Sequence, residues 1–198
     1  LNVSDGSNGQ VLTTNGSGTL SFSTVSGGAT FKTFGTSSIM VGDDSTGTID
    51  AADYNTGLGV DVFAALTTGD NNVAVGYQAL TANSTATGST AVGASALIAS
   101  NANANTAVGY LSMTSNTSGA SNTAVGKDSL SANTSGSGNA AFGKDALKAT
   151  TTGGSNTGIG MDALTANTTA DNNTAIGRSA MQANTTGTNN SSLGFSSL

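Results

Sequence analysis

A repeat of seventeen residues runs through most of this 198-residue chain and constrains its fold more than any other feature. Each unit contains a segment similar to Asn-Thr-Ala-Val-Gly, and its glycine recurs every seventeen residues, with one interval of sixteen from Gly93 to Gly109. A short fixed period indicates one structural unit stacked many times. We therefore expect an elongated solenoid or fibre without an enclosed active-site cleft. The repeat glycines are Gly59, Gly76, Gly93, Gly109, Gly126, Gly143, Gly160, Gly177 and Gly194.

Two positions in each repeat hold a large apolar side chain. The first apolar column lies one residue before the repeat glycine, and the second lies four residues after it. Coils stacked about 4.8 Å apart turn such columns into continuous ladders, so we expect both columns to form the core. The first column is Leu58, Val75, Val92, Val108, Val125, Phe142, Ile159, Ile176 and Leu193. The second is Phe63, Leu80, Leu97, Met113, Leu130, Leu147, Leu164, Met181 and Leu198.

A small residue precedes every member of the two apolar columns except Phe63, which follows Val62; for example, Ala124 precedes Val125 and Ser129 precedes Leu130. Neighbouring side chains of a strand point to opposite faces, so each pair presents apolar surface on both faces. One face fills the interior of the coil, and the other has to be covered by something else. We expect a homo-oligomer, most simply a trimer around a long axis, to cover it.

Asparagine stands four residues before the repeat glycine in every unit except the one that holds Ser89. Asparagine tolerates left-handed turn geometry, and its amide can hydrogen-bond to the next coil. The glycine itself is expected at a bend or a close backbone contact, and residues 133–136 form a polar turn. The pattern predicts an all-β fold, a repetitive β-solenoid or β-roll fibre with 17-residue coils.

Three segments follow from these patterns. Residues 1–28 form a β-hairpin region, since two alternating runs flank the turn at 15–18. Residues 29–54 form a transition or capping segment, in which Gly42 lies seventeen residues before Gly59 and marks a degenerate first coil. Residues 55–198 form the β-solenoid shaft.

Composition argues against several functions. The chain has no His and no Cys, so Ser-His-Asp catalysis, Cys-His catalysis and a disulfide framework are excluded. A net charge of −6 and five scattered Lys or Arg residues argue against nucleic acid as a partner. No apolar run is long enough for membrane insertion. We expect neither an enzyme nor a cofactor.

Repeated carboxylates are the remaining candidates for catalysis. Asp128, Asp145 and Asp162 each stand two residues after a repeat glycine, and paired carboxylates hydrolyse glycosides. Their recurrence in register is typical of surface decoration, so no catalytic site is predicted.

Two acidic clusters have the oxygen ligands that Ca²⁺ prefers. Neither has the spacing of a known calcium loop, so no metal site is predicted, although Ca²⁺ near Asp43–Asp53 is left open. The clusters are Asp43, Asp44, Asp50 and Asp53, and the segment 70–72.

Residues 122–136, Asn-Thr-Ala-Val-Gly-Lys-Asp-Ser-Leu-Ser-Ala-Asn-Thr-Ser-Gly, resemble repeats of bacteriophage tail-fibre and related virion fibre proteins. Residues 9–18 also look like a segment common near the start of such fibre modules. The Asn-Thr-Ala-Val-Gly core is similar to the head repeats of trimeric autotransporter adhesins, but those repeats are usually shorter. The resemblance implies a trimeric virion fibre that reaches toward the host surface, with other fibre or tail proteins and a host surface glycan as partners.

Three functional hypotheses remain. The main one is a homotrimeric shaft of a virion fibre, and the second is a bacterial trimeric surface adhesin, located extracellularly at the cell surface. The third is an ice-binding β-solenoid, which needs a flat, exposed threonine ladder. Assembly into a filament is left open. The threonine column, three residues before the repeat glycine, is Thr56, Thr90, Thr106, Thr123, Thr157 and Thr174, interrupted by Val73 and Ala140.

Overall fold

The computed structural model describes the backbone of residues 10–14, 20–24, 30–34, 38–42 and 51–198, and the side chains of 38–41 and 51–198. These residues contain thirteen strands and no helix. The strands are β1 Gln10–Thr14, β2 Leu20–Thr24, β3 Thr30–Phe34, β4 Ser38–Gly42, β5 Thr56–Gly59, β6 Val73–Val75, β7 Thr90–Val92, β8 Thr106–Val108, β9 Thr123–Val125, β10 Ala140–Phe142, β11 Thr157–Ile159, β12 Thr174–Ile176 and β13 Ser191–Leu193.

Ten of these strands, β4 to β13, form one parallel sheet in sequence order. Each strand pairs with its equivalent in the next coil, as Ala124 pairs with Ala141 across β9 and β10. Equivalent residues therefore stack directly above one another, and the chain is a β-solenoid of about nine turns. The prediction of an all-β solenoid with 17-residue coils is confirmed.

The first edge of the sheet precedes the strong repeats. Strand β4 pairs in parallel with β5, and Gly42 lies opposite Gly59. Ser38 stands where later coils carry asparagine, and its Oγ accepts the N–H of Asn55 at 2.9 Å. Strand β3 pairs antiparallel with β4 and ends the sheet on this side.

Strands β1 and β2 form a separate antiparallel pair with Gln10 opposite Thr24. The turn expected at 15–18 between them lies outside the described residues. The same holds for Asp43, Asp44 and Asp50.

Each coil alternates one short strand with tight turns. The chain bends at the repeat glycine, where Gly126 has a φ of 138°. Three further residues of that coil adopt left-handed backbone geometry, with φ values of 58° at Ser121, 56° at Asp128 and 49° at Leu130. Left-handed residues reverse the chain direction within a few residues, which lets seventeen residues close a complete turn.

The core consists of the second apolar column together with the small residues that precede the first and the second apolar columns. Ala124, Ser129 and Leu130 are all fully buried. The left-handed geometry of Leu130 breaks the alternation of a strand, so Ser129 and Leu130 both point inward. At the terminal coil, by contrast, Leu198 is exposed.

The first apolar column lies on the outside of the single chain, and its assignment to the core was wrong. Alternation along the strand explains this, because Ala124 points inward and Val125 must then point outward. The exposed fraction reaches 51% at Leu58 and 78% at Leu193. Phe142, Ile159 and Ile176 are also exposed, whereas Val75, Val92, Val108 and Val125 are half-buried. The interior is therefore filled mainly by alanine and leucine.

Candidate interaction surface

Polar ladders inside the solenoid hold consecutive coils in register. Asn122 Oδ1 accepts the N–H of Asn139 at 2.9 Å, and Asn122 Nδ2 donates to the carbonyl of Gly136 at 2.8 Å. Equivalent bonds recur along the column, and Ser89 keeps the link to Asn105 through its Oγ at 3.3 Å. The prediction that these amides bond to the next coil is confirmed. The left-handed residue is the one before the asparagine, so that part of the prediction was wrong.

A second buried asparagine ladder was missed by sequence reasoning. It lies seven residues after the repeat glycine, where residues 133–136 were treated only as a polar turn. Asn133 Nδ2 donates to Asn116 Oδ1 at 2.8 Å and to the carbonyl of Gly136 at 3.0 Å. Its signal in the sequence is the recurrence of asparagine at this one position: Asn83, Asn116, Asn133, Asn167 and Asn184.

The side of the coil that contains the strand forms what we call the outer surface. It comprises the residues three before, one before and one after each repeat glycine, together with Ile39 and Val41 of β4. The threonine column and the first apolar column lie on it side by side, because residues two apart in a strand share a face. The third row, which we call the flanking column, is Val60, Tyr77, Ala94, Tyr110, Lys127, Lys144, Met161, Arg178 and Phe195.

Exposed apolar side chains are concentrated on the outer surface. Of the twelve large apolar side chains exposed among the described residues, ten belong to it, and the two others are Tyr54 and Leu198. Scattered exposed apolar residues are normal for a soluble protein, whereas a contiguous patch marks an interaction site. The outer surface is therefore the candidate interaction surface of this chain.

Charges on the outer surface are all positive in the described part of the chain. Lys127, Lys144 and Arg178 stand in the flanking column, and no aspartate belongs to the surface. Lys127 lies over the ring of Tyr110, with Nζ 5.9 Å from the ring centroid, and Arg178 lies similarly over Phe195 at 5.8 Å. Lys127 and Arg178 thus pack against aromatic neighbours of adjacent coils.

Two of the three repeated aspartates, Asp128 and Asp145, border this surface in ion pairs, whereas no ion pair is formed by Asp162 in the described part of the chain. Lys127 Nζ donates to Asp128 at 2.6 Å, while Asp145 accepts from Lys144 at 2.6 Å and from Lys148 at 2.8 Å. Burial alone would raise the pKa of Asp145, but the hydrogen bonds from the two lysines outweigh it and lower the pKa. A general acid needs a raised pKa, so Asp145 has the environment of an ionised structural partner.

The hydrogen bond to Asp145 also raises the pKa of Lys144 and of Lys148. All three groups are therefore held in their charged forms at neutral pH.

The acidic turn at Asp70 has a backbone role. Asp70 Oδ1 accepts the N–H of Asp53, seventeen residues earlier, at 2.7 Å. Asp171 accepts the N–H of Gly154 in the same way, also at 2.7 Å. Across residues 51–198 and the described strands before them, no group of three or more acidic, His or Cys residues is placed to hold a metal ion.

The part of the chain that the structure describes contains no helix of the length and apolarity that crossing a bilayer requires. Comparison with protein-family models, with curated proteins and with solved structures gives no match.

Proposed function

We propose that this chain is the shaft of a homotrimeric virion fibre, such as a bacteriophage tail fibre, that extends toward the host cell surface. The observation that carries the proposal is the unbroken in-register stack of ten parallel strands. At about 4.8 Å per coil the stack rises about 43 Å over its nine intervals. A shaft lengthens in this way simply by adding coils.

The internal contacts support a role in reach and rigidity. Main-chain bonds link each coil to the next at several points, and buried asparagines add a link inside the solenoid. A buried amide that loses its partner costs about 1–3 kcal/mol, so bending the stack at one coil is unfavourable. Function in such a molecule comes from length and from surface contacts that repeat along it.

Immunogold labelling, which locates this protein on cells or on virus particles, tests the proposal. An antibody raised against residues 51–198 is applied to whole cells and to purified virus particles, and gold label is located by electron microscopy. Label on slender appendages of the particles supports a virion fibre. Label confined to the cell envelope contradicts it and supports the bacterial adhesin. Label confined to the cell interior contradicts both.

An ice-binding solenoid is the second candidate, and one observation favours it. The threonine column lies on the outward face of a regular parallel sheet, with Thr106 and Thr123 directly paired across β8 and β9. The interruptions at Val73 and Ala140 count against it. Thermal hysteresis of the purified chain at millimolar concentration tests this candidate, and growth of ice at the equilibrium freezing point removes it.

A further inference from the structure

We propose that the outer surface is the contact between copies of this chain, and that three copies meet there around an axis parallel to the stack. The inference rests on the homotrimer in the proposed function and names the residues that form it. The first apolar column lies nearest the axis. The threonine and flanking columns lie on either side of it.

The repeat spacing is the first argument for a second copy as the occupant. Apolar side chains on the outer surface recur once per coil, at the spacing of the parallel strands, from β4 to β13. A partner contacts this row along its whole length only if it presents features with the same spacing. Another copy of the solenoid does so, as stacked identical segments do in other sheet assemblies.

The size of the surface is the second argument. Ten strands at about 4.8 Å, each contributing about five residues at about 3.3 Å, present about 800 Å². A standard specific interface buries about 800 Å² on each partner. Each copy of a trimer therefore presents to its two neighbours together about the area that one partner buries in a standard interface.

The bend at the repeat glycine favours three copies over two. A twofold contact uses the same patch on both partners, whereas a ring of three needs two different patches on each copy. The outer surface continues across the bend, with threonine and the first apolar column before the glycine and the flanking column after it. The threonine column and the first apolar column of one copy can therefore contact the flanking column of the next copy.

Charge is compatible with this arrangement. The cations of the flanking column would repel one another if three copies brought them together uncompensated. Asp128 and Asp145 compensate Lys127 and Lys144 within each chain at 2.6 Å. Arg178 is the remaining charge of the described outer surface, and its guanidinium lies over the ring of Phe195 at 5.8 Å.

Two glutamates placed on the surface test the contact. Val92 and Val108 are half-buried, outward-facing members of the first apolar column on neighbouring coils. We expect Val92→Glu with Val108→Glu to shift the mass from three times 19.0 kDa to a single chain in multi-angle light scattering. The matched control, Ser118→Glu with Ser135→Glu, adds the same charge at exposed positions of neighbouring coils and should stay trimeric. Loss of the trimer in both variants, or in neither, overturns the inference.

Site-directed cross-linking gives a readout that does not depend on destabilising the assembly. The chain has no cysteine, so Val108→Cys and Ser118→Cys each introduce a single thiol. A short bis-maleimide is expected to link Val108→Cys chains to one another at micromolar protein and to leave Ser118→Cys chains unlinked. Equal linking of the two variants, or linking of Ser118→Cys alone, contradicts the proposed surface.

The outcomes separate this inference from the proposed function. A wild-type trimer that survives the glutamates and fails to cross-link at Val108→Cys refutes the outer surface as the contact and leaves the fibre proposal standing. Loss of the trimer in the surface variant alone, combined with gold label absent from both particles and cell envelope, supports the contact and refutes the fibre. A monomeric wild-type chain refutes the contact directly.

Discussion

The repeat glycines are positions where one coil lies in close contact with the next. A Cβ built on Gly126 would lie 2.4 Å from the carbonyl oxygen of Gly143, and every repeat glycine from Gly59 to Gly177 meets the following one in the same way. Their φ values, between 126° and 139°, are also ones that other residues rarely adopt. Steric contact and backbone geometry both require glycine here.

Alanine at two glycines separates these two requirements. Gly126→Ala introduces both the clash and the strained φ, so we expect the free energy of unfolding to fall by about 3 kcal/mol or more. Gly88→Ala is the control, because Gly88 has a φ of 69° and no atom within 4 Å of the added Cβ. It should cost about 1 kcal/mol. Guanidinium unfolding at one fixed protein concentration measures both, and equal losses would contradict the close glycine contact.

The ion pairs of Asp145 make part of the stability depend on pH. Its pKa is lowered in the folded chain, so the stabilisation is present above the ordinary aspartate pKa of about 4 and is lost as the pH falls through the lower folded value. Asp145→Asn should therefore destabilise at pH 7 and approach the wild type below about pH 4.

Thermal unfolding across this pH range measures the effect of Asp145. Lys148→Gln removes one of the two lysine partners and should show a smaller effect of the same sign. A wild-type advantage over Asp145→Asn that grows as the pH falls would be inconsistent with the lowered pKa.

At the scale of the coil, the two apolar columns differ in the residue types that they accept. The second column has left-handed φ from Phe63 to Met181 and holds only Leu, Met and Phe, with no β-branched residue. The first column lies in the strands and holds mainly Val and Ile. β-Branched residues favour strands and are genuine outliers at positive φ. This difference was present in the sequence and would have separated strand from turn.

Leu130 tests the left-handed turn directly. Leu130→Ile keeps the volume but places a β-branched side chain at a φ of 49°, so it should destabilise by about 1–3 kcal/mol more than Leu130→Met. Methionine already occupies this position at Met113 and Met181, and its cost should stay below about 1.5 kcal/mol. Chemical unfolding compares the variants, and an isoleucine variant as stable as the methionine variant would argue against the turn.

The sixteen-residue coil replaces a backbone acceptor with a side chain. In other coils one to three N–H groups donate to one carbonyl of the next coil, as those of Thr134 and Ser135 donate to Thr151. Around the shortened coil the N–H groups of residues 84–86 instead donate to Asn101 Oδ1 at 3.0–3.2 Å. The Asn101 side chain thereby compensates for the missing residue of this coil, and strands β7 and β8 remain paired.

Removing that oxygen should weaken the shortened coil. We expect Asn101→Ala to lower the free energy of unfolding by about 1 kcal/mol, while Asn101→Asp keeps an acceptor and stays near the wild type. Hydrogen exchange locates the effect, with faster exchange at the amides of Ser84 and Thr85, while the N–H of Ala86 keeps a second acceptor in Asn83 Oδ1 at 2.9 Å. Unchanged exchange there in Asn101→Ala would show that the side chain does not replace the carbonyl.

For the whole molecule, the sequence period made the fold class predictable, but it did not determine which side chains of each coil point inward. In-register recurrence of glycine, asparagine and apolar residues is sufficient for a β-solenoid, because only equivalent residues can stack at a fixed period. Which apolar column points inward depends on where the strand ends and left-handed turns begin, and period alone does not set this. Val125 and Leu130 have similar hydrophobicity, yet Val125 lies on the outer surface and Leu130, beyond the bend at Gly126, lies in the interior of the coil.

We expect several copies of this solenoid to cover one another's outer surface. The most direct measurement is the absolute mass of purified residues 1–198 by light scattering after size exclusion, repeated over a hundredfold range of concentration. A homotrimer has a mass of three times 19.0 kDa, and we expect this mass throughout that range. A stable, folded single chain of 19.0 kDa would contradict it, because the outer surface would then face solvent in the working molecule.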